Sequence, residues 1–218
     1  MTITTVIFDL DGTLLDTLAD LHASVNRTLS AFGLPKRSRD EIQSFLGHGT
    51  RYLIAHSAPD ANGELLEKLL AAYRKDYIAH SADRTLPYPG ITATLQTLFE
   101  KGYKLAVLSN KPEEMTKALC ASLLPPVFSV VRGDREGAPR KPSPEPVLSI
   151  LQAIGECKEN CIYVGDSDVD VQTAKNAGVY CLSALWGYRS KDELRAAGAE
   201  RFLSSPEDIL AYTERTLL

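Results

Sequence analysis

Thr5-Val-Ile-Phe8 runs without a break into Asp9-Leu-Asp-Gly-Thr13. Four consecutive β-branched or aromatic residues read as a short buried strand. Gly12 allows the chain to turn sharply just after it, beside two carboxylates. A buried strand that ends in an acidic, glycine-containing turn is the unit from which the rest of the chain can be read.

The segments that follow change period. From about Asp16 to Ala82 the pattern is helical throughout. Leu18, Leu21, Val25, Leu29 and Phe32 recur at spacings of three and four before Gly33 ends the run. Ser38-Arg-Asp-Glu41 reads as a capping box for a second helix that ends at Gly47. A third helix begins near Thr50 and breaks between Pro59 and Gly63, and a long amphipathic one covers Glu64 to His80. Beyond Ala82, helices and strands alternate. Strands are expected at Lys104–Leu108, Val127–Val131, Cys161–Val164 and Val179–Ser183. Helices are expected at Ile91–Lys101, from Pro112 to about Leu123, from Pro144 to Gly155 and over Asp168–Ala177. Two last helices start at Ser190 and Ser205, with a short Phe202-Leu203 segment between them.

Strands alternating with helices imply parallel pairing in a sheet covered on both faces. The fold class expected is therefore α/β: a doubly wound parallel-sheet Rossmann-like core, with an inserted all-helical cap. Residues 1–15 and 83–218 form the core on this reading, and residues 16–82 the cap. The length of 218 residues suits one full core plus a small module, at roughly 150 residues per domain.

Composition narrows the partners. Acidic residues exceed basic ones, 28 to 24, so the chain lacks the basic footprint of a nucleic-acid binder. No apolar run approaches the roughly 20 residues that span a bilayer, and Met1-Thr-Ile-Thr-Thr lacks the basic and apolar regions of a secretory signal. Cys120, Cys157, Cys161 and Cys181 contain no Cys-x-x-Cys pair and read as reduced thiols, which suits a cytoplasmic protein. The expected partner is a small molecule, with no nucleic acid and no membrane, and the chain is expected to be a monomer or homodimer.

Ligands of doubly wound sheets sit at the carboxyl ends of the strands. Asp9, Asp11, Gly12 and Thr13 follow the first strand, and Ser109, Asn110 and Lys111 follow the second. Arg140, Lys141 and Pro142 lie in the loop after the third, and Gly165, Asp166, Ser167, Asp168 and Asp170 after the fourth. So many carboxylates at one edge are costly unless a cation offsets them. Hard oxygen donors, without histidine or cysteine, favour Mg2+ over zinc. Mg2+ in turn suits a phosphoryl ligand, to which Lys141 and the Ser109 hydroxyl would add contacts. Asp9 could then act as nucleophile and Asp11 as proton donor to the leaving oxygen.

Each motif alone has a plainer reading. Asp-x-Asp-Gly-Thr can be a solvated turn. Gly-Asp-Ser-Asp-Val-Asp can be a helix cap, or half an EF-hand lacking the spacing and the closing glutamate. Asp16 and Thr17 read as hinge and N-cap, and Asp168 as a helix-start acid. The conjunction at four strand ends is what points to chemistry.

Phe8-Asp-Leu-Asp-Gly-Thr13, Ser109-Asn110, Lys141-Pro142 and Gly165-Asp-Ser-Asp-Val-Asp170 resemble, in order, the four motifs of the haloacid dehalogenase superfamily. The likeness spans the whole chain, helical insertion included. Gly47-His-Gly49, Tyr88-Pro-Gly90 and Trp186-Gly-Tyr-Arg189 are similar to the phosphoglycolate phosphatase-like group within it. The resemblance implies a magnesium-dependent phosphatase that hydrolyses a small phosphate monoester, phosphoglycolate favoured, through an aspartyl-phosphate. Asp9, the backbone carbonyl of Asp11, and Asp166 would hold the metal. Asp9, Asp11 and Lys141 would be catalytic, with Asp170 and Thr13 supporting them. Ser109 and the backbone N–H groups of Gly12 and Asn110 would hold the phosphate. His48 and Arg51, in the cap, are candidates for contacting the substrate's leaving group. Tyr73 and Tyr77 read as helix-face packing residues, and Trp186 as a filler of the core or the domain interface. Asp11 argues against the dehalogenase branch, which lacks that second aspartate. A β-phosphoglucomutase-like phosphotransferase, a pyrophosphatase and a non-catalytic binding protein of the same fold are the alternatives.

Overall fold

A computed structural model describes residues 2–214 of the chain; Met1 and residues 215–218, the outer ends of the expected core segments, lie outside them. Eight strands and ten helices follow in the order β1 (Thr5–Phe8), β2 (Leu15–Asp16), α1 (Leu18–Ala31), α2 (Arg39–Ser44), α3 (Thr50–Ser57), α4 (Gly63–His80), β3 (Leu86–Pro87), α5 (Ile91–Glu100), β4 (Lys104–Pro112), α6 (Glu113–Leu123), β5 (Phe128–Asp134), α7 (Glu145–Ile154), β6 (Cys161–Gly165), α8 (Asp168–Ala177), β7 (Tyr180–Ala184), α9 (Lys191–Ala196), β8 (Phe202–Leu203) and α10 (Asp208–Thr213).

Six strands form one sheet in the order β5-β4-β1-β6-β7-β8, and every pairing in it is parallel. β1 is central and wholly buried. Its side chains alternate between the two faces, as a strand requires. Val6 and Phe8 pack with Leu105, Val107, Ile162 and Val164 under α5, α6 and α10. Ile7 packs on the opposite face with Ala106, Leu108 and Tyr163 under α7 and α8. Apolar packing on both faces makes the core doubly wound, and it explains why β1 reads as an unbroken apolar run. The chain winds outward from β1 through β4 to β5, then returns to the other side of β1 as β6. The order reverses between β1 and β6, which opens a crevice beyond their carboxyl ends.

Helices α1 to α4 pack around an apolar cluster of their own, centred on Leu21, Val25, Ile54, Leu69 and Tyr73. The chain enters and leaves this insertion side by side. β2 and β3 pair antiparallel there, Leu15 with Pro87 and Asp16 with Leu86. The buried Asp20 ties the same two crossings together, because its Oδ2 accepts from Arg84 N, Thr85 N and Thr85 Oγ1, each at 2.8 Å. This ribbon is not expected from the sequence, since two-residue strands are too short to show a period. β4 also runs on to Pro112, and β5 to Asp134. Pro112 lies at the N-cap of α6 rather than inside its first turn, and the strand therefore carries Ser109, Asn110 and Lys111 to its end. No helix among the described residues is long and apolar enough to cross a membrane.

Candidate active site

Asp9 stands where β1 ends, and Asp166 where β6 ends, on the two sides of the crevice. The chain after Asp9 folds back on itself. The Leu10 carbonyl accepts from the N–H groups of Thr13, Leu14 and Leu15. Gly12 takes φ of +86°, and a Cβ there would lie 2.3 Å from Asp166 Oδ2. A Cβ on Gly187 would lie 2.3 Å from the Asp166 Cβ and 2.4 Å from the Gly12 carbonyl. Both glycines are therefore demanded by the close approach of Asp166, not by turn formation alone.

Asp9, Asp166 and Asp170 each offer a carboxylate oxygen within 4.8 Å of the others, and all three are buried. Lys141 Nζ is the one cation paired with them among the described residues, 2.7 Å from Asp9 Oδ1 and 2.7 Å from Asp170 Oδ1. Asp170 is fully engaged. Its Oδ1 also accepts from the Tyr163 hydroxyl at 3.1 Å, and its Oδ2 accepts from Ser167 N and Ser167 Oγ. It also closes the capping box of α8, so capping and charge placement are one arrangement. Asp166 accepts from Thr13 Oγ1 and from the backbone N–H of Tyr188, each at 2.8 Å. Asp9 Oδ1 is buried with no aligned hydrogen-bond donor.

Three carboxylates against one ammonium leave the cluster strongly negative. Burial, reinforced by the Asp170 charge, raises the Asp9 carboxyl well above the ordinary range. Burial and the same neighbour push Asp166 up to about 7. The donor set is all oxygen, and three buried carboxylates share one ammonium, so the site fits a hard dication.

Asp11 faces the other way. Its Oδ1 accepts from Thr17 Oγ1 at 2.7 Å, and its Oδ2 lies 3.1 Å from the buried Lys111 Nζ. Lys111 also donates to the Tyr77 hydroxyl of α4 at 2.9 Å. Thr17 occupies the N-cap position of α1 without capping it, because its hydroxyl is spent on Asp11 and on the hydroxyl of Tyr188. Lys111, Tyr77 and Tyr188 are site residues that the sequence reading leaves without a role. Lys111 alone had a signal, its place at a strand end directly after Ser109-Asn110.

One of the phosphate contacts that the resemblance implies finds its group engaged. The Gly12 N–H donates to the Leu15 carbonyl at 2.9 Å, so it is not available to a phosphate. The amides of Leu10 and Asp11, by contrast, have no backbone acceptor among the described residues. The Asn110 side chain is spent on structure: Nδ2 donates to the carbonyls of Gly47 and Lys141, and Oδ1 accepts from Lys141 N. Ser109 lines the cleft.

The cleft lies between the insertion and the core, with Leu21, Phe45, Leu53 and Met115 as apolar walls and Asp9, Ser109, Lys141 and Asp166 at its floor. The cavity is about 50 Å³, well under the roughly 150 Å³ that accepts a benzene-sized molecule. Gln43 Nε2 donates to the Tyr188 carbonyl, and Arg189 donates to the carbonyls of Gln43, Ser44 and Leu46, holding the insertion over the site. His48 and Arg51 are not brought into this cleft. His48 lies against Tyr52 and 3.9 Å from Asp168, and Arg51 pairs with Glu67 on the exposed face of the insertion. Asp168 starts α8 and faces solvent beside His48 and Arg189. Trp186 packs against the core and donates from Nε1 to the Thr13 carbonyl at 3.0 Å.

Comparison with known proteins agrees with this geometry. The sequence model of haloacid dehalogenase-like hydrolases matches residues 6–184, which takes in all four strand-end motifs. The chain belongs to that family. This hydrolase is 37% identical over 214 residues to the phosphoglycolate phosphatase of Aquifex aeolicus (strain VF5), with 98% of each chain covered. It is 34% identical over 190 residues to the phosphoglycolate phosphatase of Pseudomonas putida, covering 84% of this chain and 70% of the relative. In structure it is similar to a protein of Lactobacillus delbrueckii subsp. bulgaricus assigned as a phosphoglycolate phosphatase. The TM-score is 0.91 at 30% identity, covering 98% of this chain and 99% of that one. It is also similar to CbbY of Rhodobacter sphaeroides, solved with phosphate, at a TM-score of 0.81 and 26% identity, covering 95% and 96% of the two chains. The hydrolase is thus an enzyme of a family whose fold it shares along nearly its whole length.

Proposed function

We propose that this hydrolase is a magnesium-dependent phosphatase of small phosphate monoesters, phosphoglycolate first among them, acting through an aspartyl-phosphate on Asp9. The observation that carries the reading is the convergence of Asp9 and Asp166 on one buried locus beside Lys141, with more negative charge than that lysine offsets. Asp9, Asp166 and the Asp11 carbonyl would hold Mg2+, which when bound offsets the carboxylate charge and polarises the phosphoryl oxygens.

The chain's own groups supply the rest. An Asp9 carboxylate oxygen forms a bond to phosphorus as the ester P–O bond breaks, and the departing alkoxide takes a proton from the Asp11 carboxyl. Asp11 then accepts a proton from water as that water attacks the aspartyl-phosphate, which frees phosphate and restores Asp9. Lys141 offsets charge on the transferring group, and Asp170 and Tyr163 hold Lys141 and its partner in place. Ser109 and the Leu10 and Asp11 amides border the phosphate. Residues 16–82 act as a cap that excludes water, entered and left through the β2–β3 ribbon. The names of the relatives favour glycolate as the leaving group. A cytoplasmic location goes with this reading, since all four cysteines are free thiols.

Phosphate release from a panel of small esters, with Mg2+ and with chelator, tests the proposal. The expected result is magnesium-dependent release, greatest on phosphoglycolate and abolished by Asp9→Asn in a folded protein. Isomerisation of a sugar phosphate without net phosphate release would replace hydrolysis by a phosphate shuttle. Undiminished activity in Asp9→Asn would remove the nucleophile from Asp9.

A further inference from the structure

Lys111 and two tyrosines of the insertion are not accounted for by phosphoryl transfer. Lys111 is 6% exposed and lines the cleft, paired with Asp11 and not with the carboxylate cluster. An ammonium has three N–H donors. Two have partners here, Asp11 Oδ2 and the Tyr77 hydroxyl oxygen. The third has none among the described residues. Tyr77 is 1% exposed. Its oxygen accepts from Lys111, so its own O–H proton is still to be placed, and no acceptor for it lies among the described residues. Tyr73 lines the same cleft one helical turn earlier on α4, 2% exposed, with its ring stacked on Tyr77 at 5.6 Å and 7°. Its hydroxyl bonds no protein atom among the described residues.

Buried hydroxyls and ammonium groups are rarely left with unused donors. Three groups with unused donors among the described residues converge here, the Tyr73 hydroxyl opening to the cleft itself, beside the apolar side chains of Leu21, Leu53 and Met115. The other two cations of the cleft are occupied: Lys141 by Asp9 and Asp170, and Arg189 by three carbonyls of the insertion. The Lys111 ammonium makes an anionic oxygen the best acceptor.

We propose that Lys111, Tyr77 and Tyr73 form the seat for a carboxylate carried by the leaving group, so that the enzyme selects phosphate esters of small hydroxy acids over esters of neutral alcohols. The seat rests on the phosphatase reading above and specifies its substrate class. One carboxylate oxygen takes the free Lys111 N–H, and the tyrosine hydroxyls complete the set. The phosphoryl end stays on the floor beside Asp9 and Lys141. Closure of the insertion assembles the seat, because Lys111 belongs to the core and both tyrosines belong to α4.

The test compares kcat/KM on phosphoglycolate, ethyl phosphate and ethane-1,2-diyl bisphosphate, in the full-length enzyme with Mg2+. The parent enzyme is expected to prefer phosphoglycolate over ethyl phosphate by about a hundredfold or more. That preference ratio should fall about tenfold in Lys111→Met and about fivefold in Tyr77→Phe and in Tyr73→Phe, mostly through KM. The phenylalanine variants keep the ring packing and guard against misfolding of Lys111→Met. A ratio unchanged in all three variants overturns the seat, even if both rates fall together, since that pattern makes Lys111 a support for Asp11 alone. A preference for the bisphosphate that the variants abolish replaces the carboxylate by a second phosphate. An active parent enzyme indifferent to the carboxylate also overturns the seat, while leaving the phosphatase reading standing. If no ester is hydrolysed, that reading fails, and calorimetric binding to Asp9→Asn then decides the seat. Tighter binding of phosphoglycolate than of ethyl phosphate, lost on adding Lys111→Met, supports it, and equal binding overturns it.

Discussion

Asn110 grips Lys141 by both sides of its backbone, accepting from the Lys141 N–H and donating to the Lys141 carbonyl, each at 3.0 Å. The Lys141 ammonium, at the far end of the same residue, then reaches Asp9 and Asp170. An asparagine that reads in sequence as a phosphate contact thus sets where the charge sits. Asn110→Ala should lower kcat by about 10- to 100-fold, since small misplacements near reacting atoms cost that much. KM should change far less, and steady-state kinetics on phosphoglycolate would separate the two effects. A change confined to KM would return Asn110 to direct substrate binding.

If the acidic cluster binds magnesium as proposed, magnesium and protons should stand in for one another as stabilisers. Asp166 has an ordinary value of 3.8 and is pushed up to about 7 when folded, and Asp9 shifts in the same direction, in both cases first by burial. A carboxyl raised by folding binds protons more tightly in the native state. Its contribution to stability therefore falls as pH rises from about 4 to about 7 and then levels off. In chelator, the melting temperature should decline across that window. Saturating Mg2+ should restore about 5–10 °C near pH 8, and much less near pH 5. Scanning calorimetry at both pH values checks this, and an equal magnesium effect at the two would count against metal binding by these carboxylates.

Arg51 is exposed and paired with Glu67 on the outer face of the insertion. Arg51→Ala should change kcat/KM on phosphoglycolate by less than about twofold, and stability by no more than about 0.5 kcal/mol. A larger loss on phosphoglycolate than on ethyl phosphate would bring Arg51 back to the substrate.

Gly12→Ala meets two obstacles at once, a φ of +86° and a Cβ 2.3 Å from Asp166 Oδ2. It should cost about 1–3 kcal/mol from backbone strain alone. It should also raise the magnesium concentration needed for half-maximal activity, because Asp166 must move. Metal titration and thermal melts together check the two effects.

The core was legible because the central strands β1, β4 and β6 bury both faces and therefore show as apolar blocks, and because acidic, glycine-containing loops follow β1 and β6. Asp9, Asp166 and Asp170 could be placed from those blocks and loops, and Lys141 from the loop after β5. Side-chain direction beyond the strand ends was not legible. Tyr73 and Tyr77 share a helix face at a spacing of four and do pack in the apolar cluster of the insertion. Periodicity reports the face and says nothing of what the hydroxyl at the tip meets. His48 and Arg51 lie close in sequence to the cleft-lining Gly47, Gly49 and Thr50, yet both side chains point away from it. Such choices depend on long-range partners, here Asp168 and Glu67.

The paired crossing at Leu15-Asp16 and Leu86-Pro87 stands one residue from Thr17, whose hydroxyl holds the Asp11 carboxylate. On the proposed mechanism, a swing of the insertion about this crossing would couple posture to reactivity: lifting α4 would take Tyr77 from Lys111, the residue that pairs with the proposed acid Asp11, and would open Asp9 to solvent.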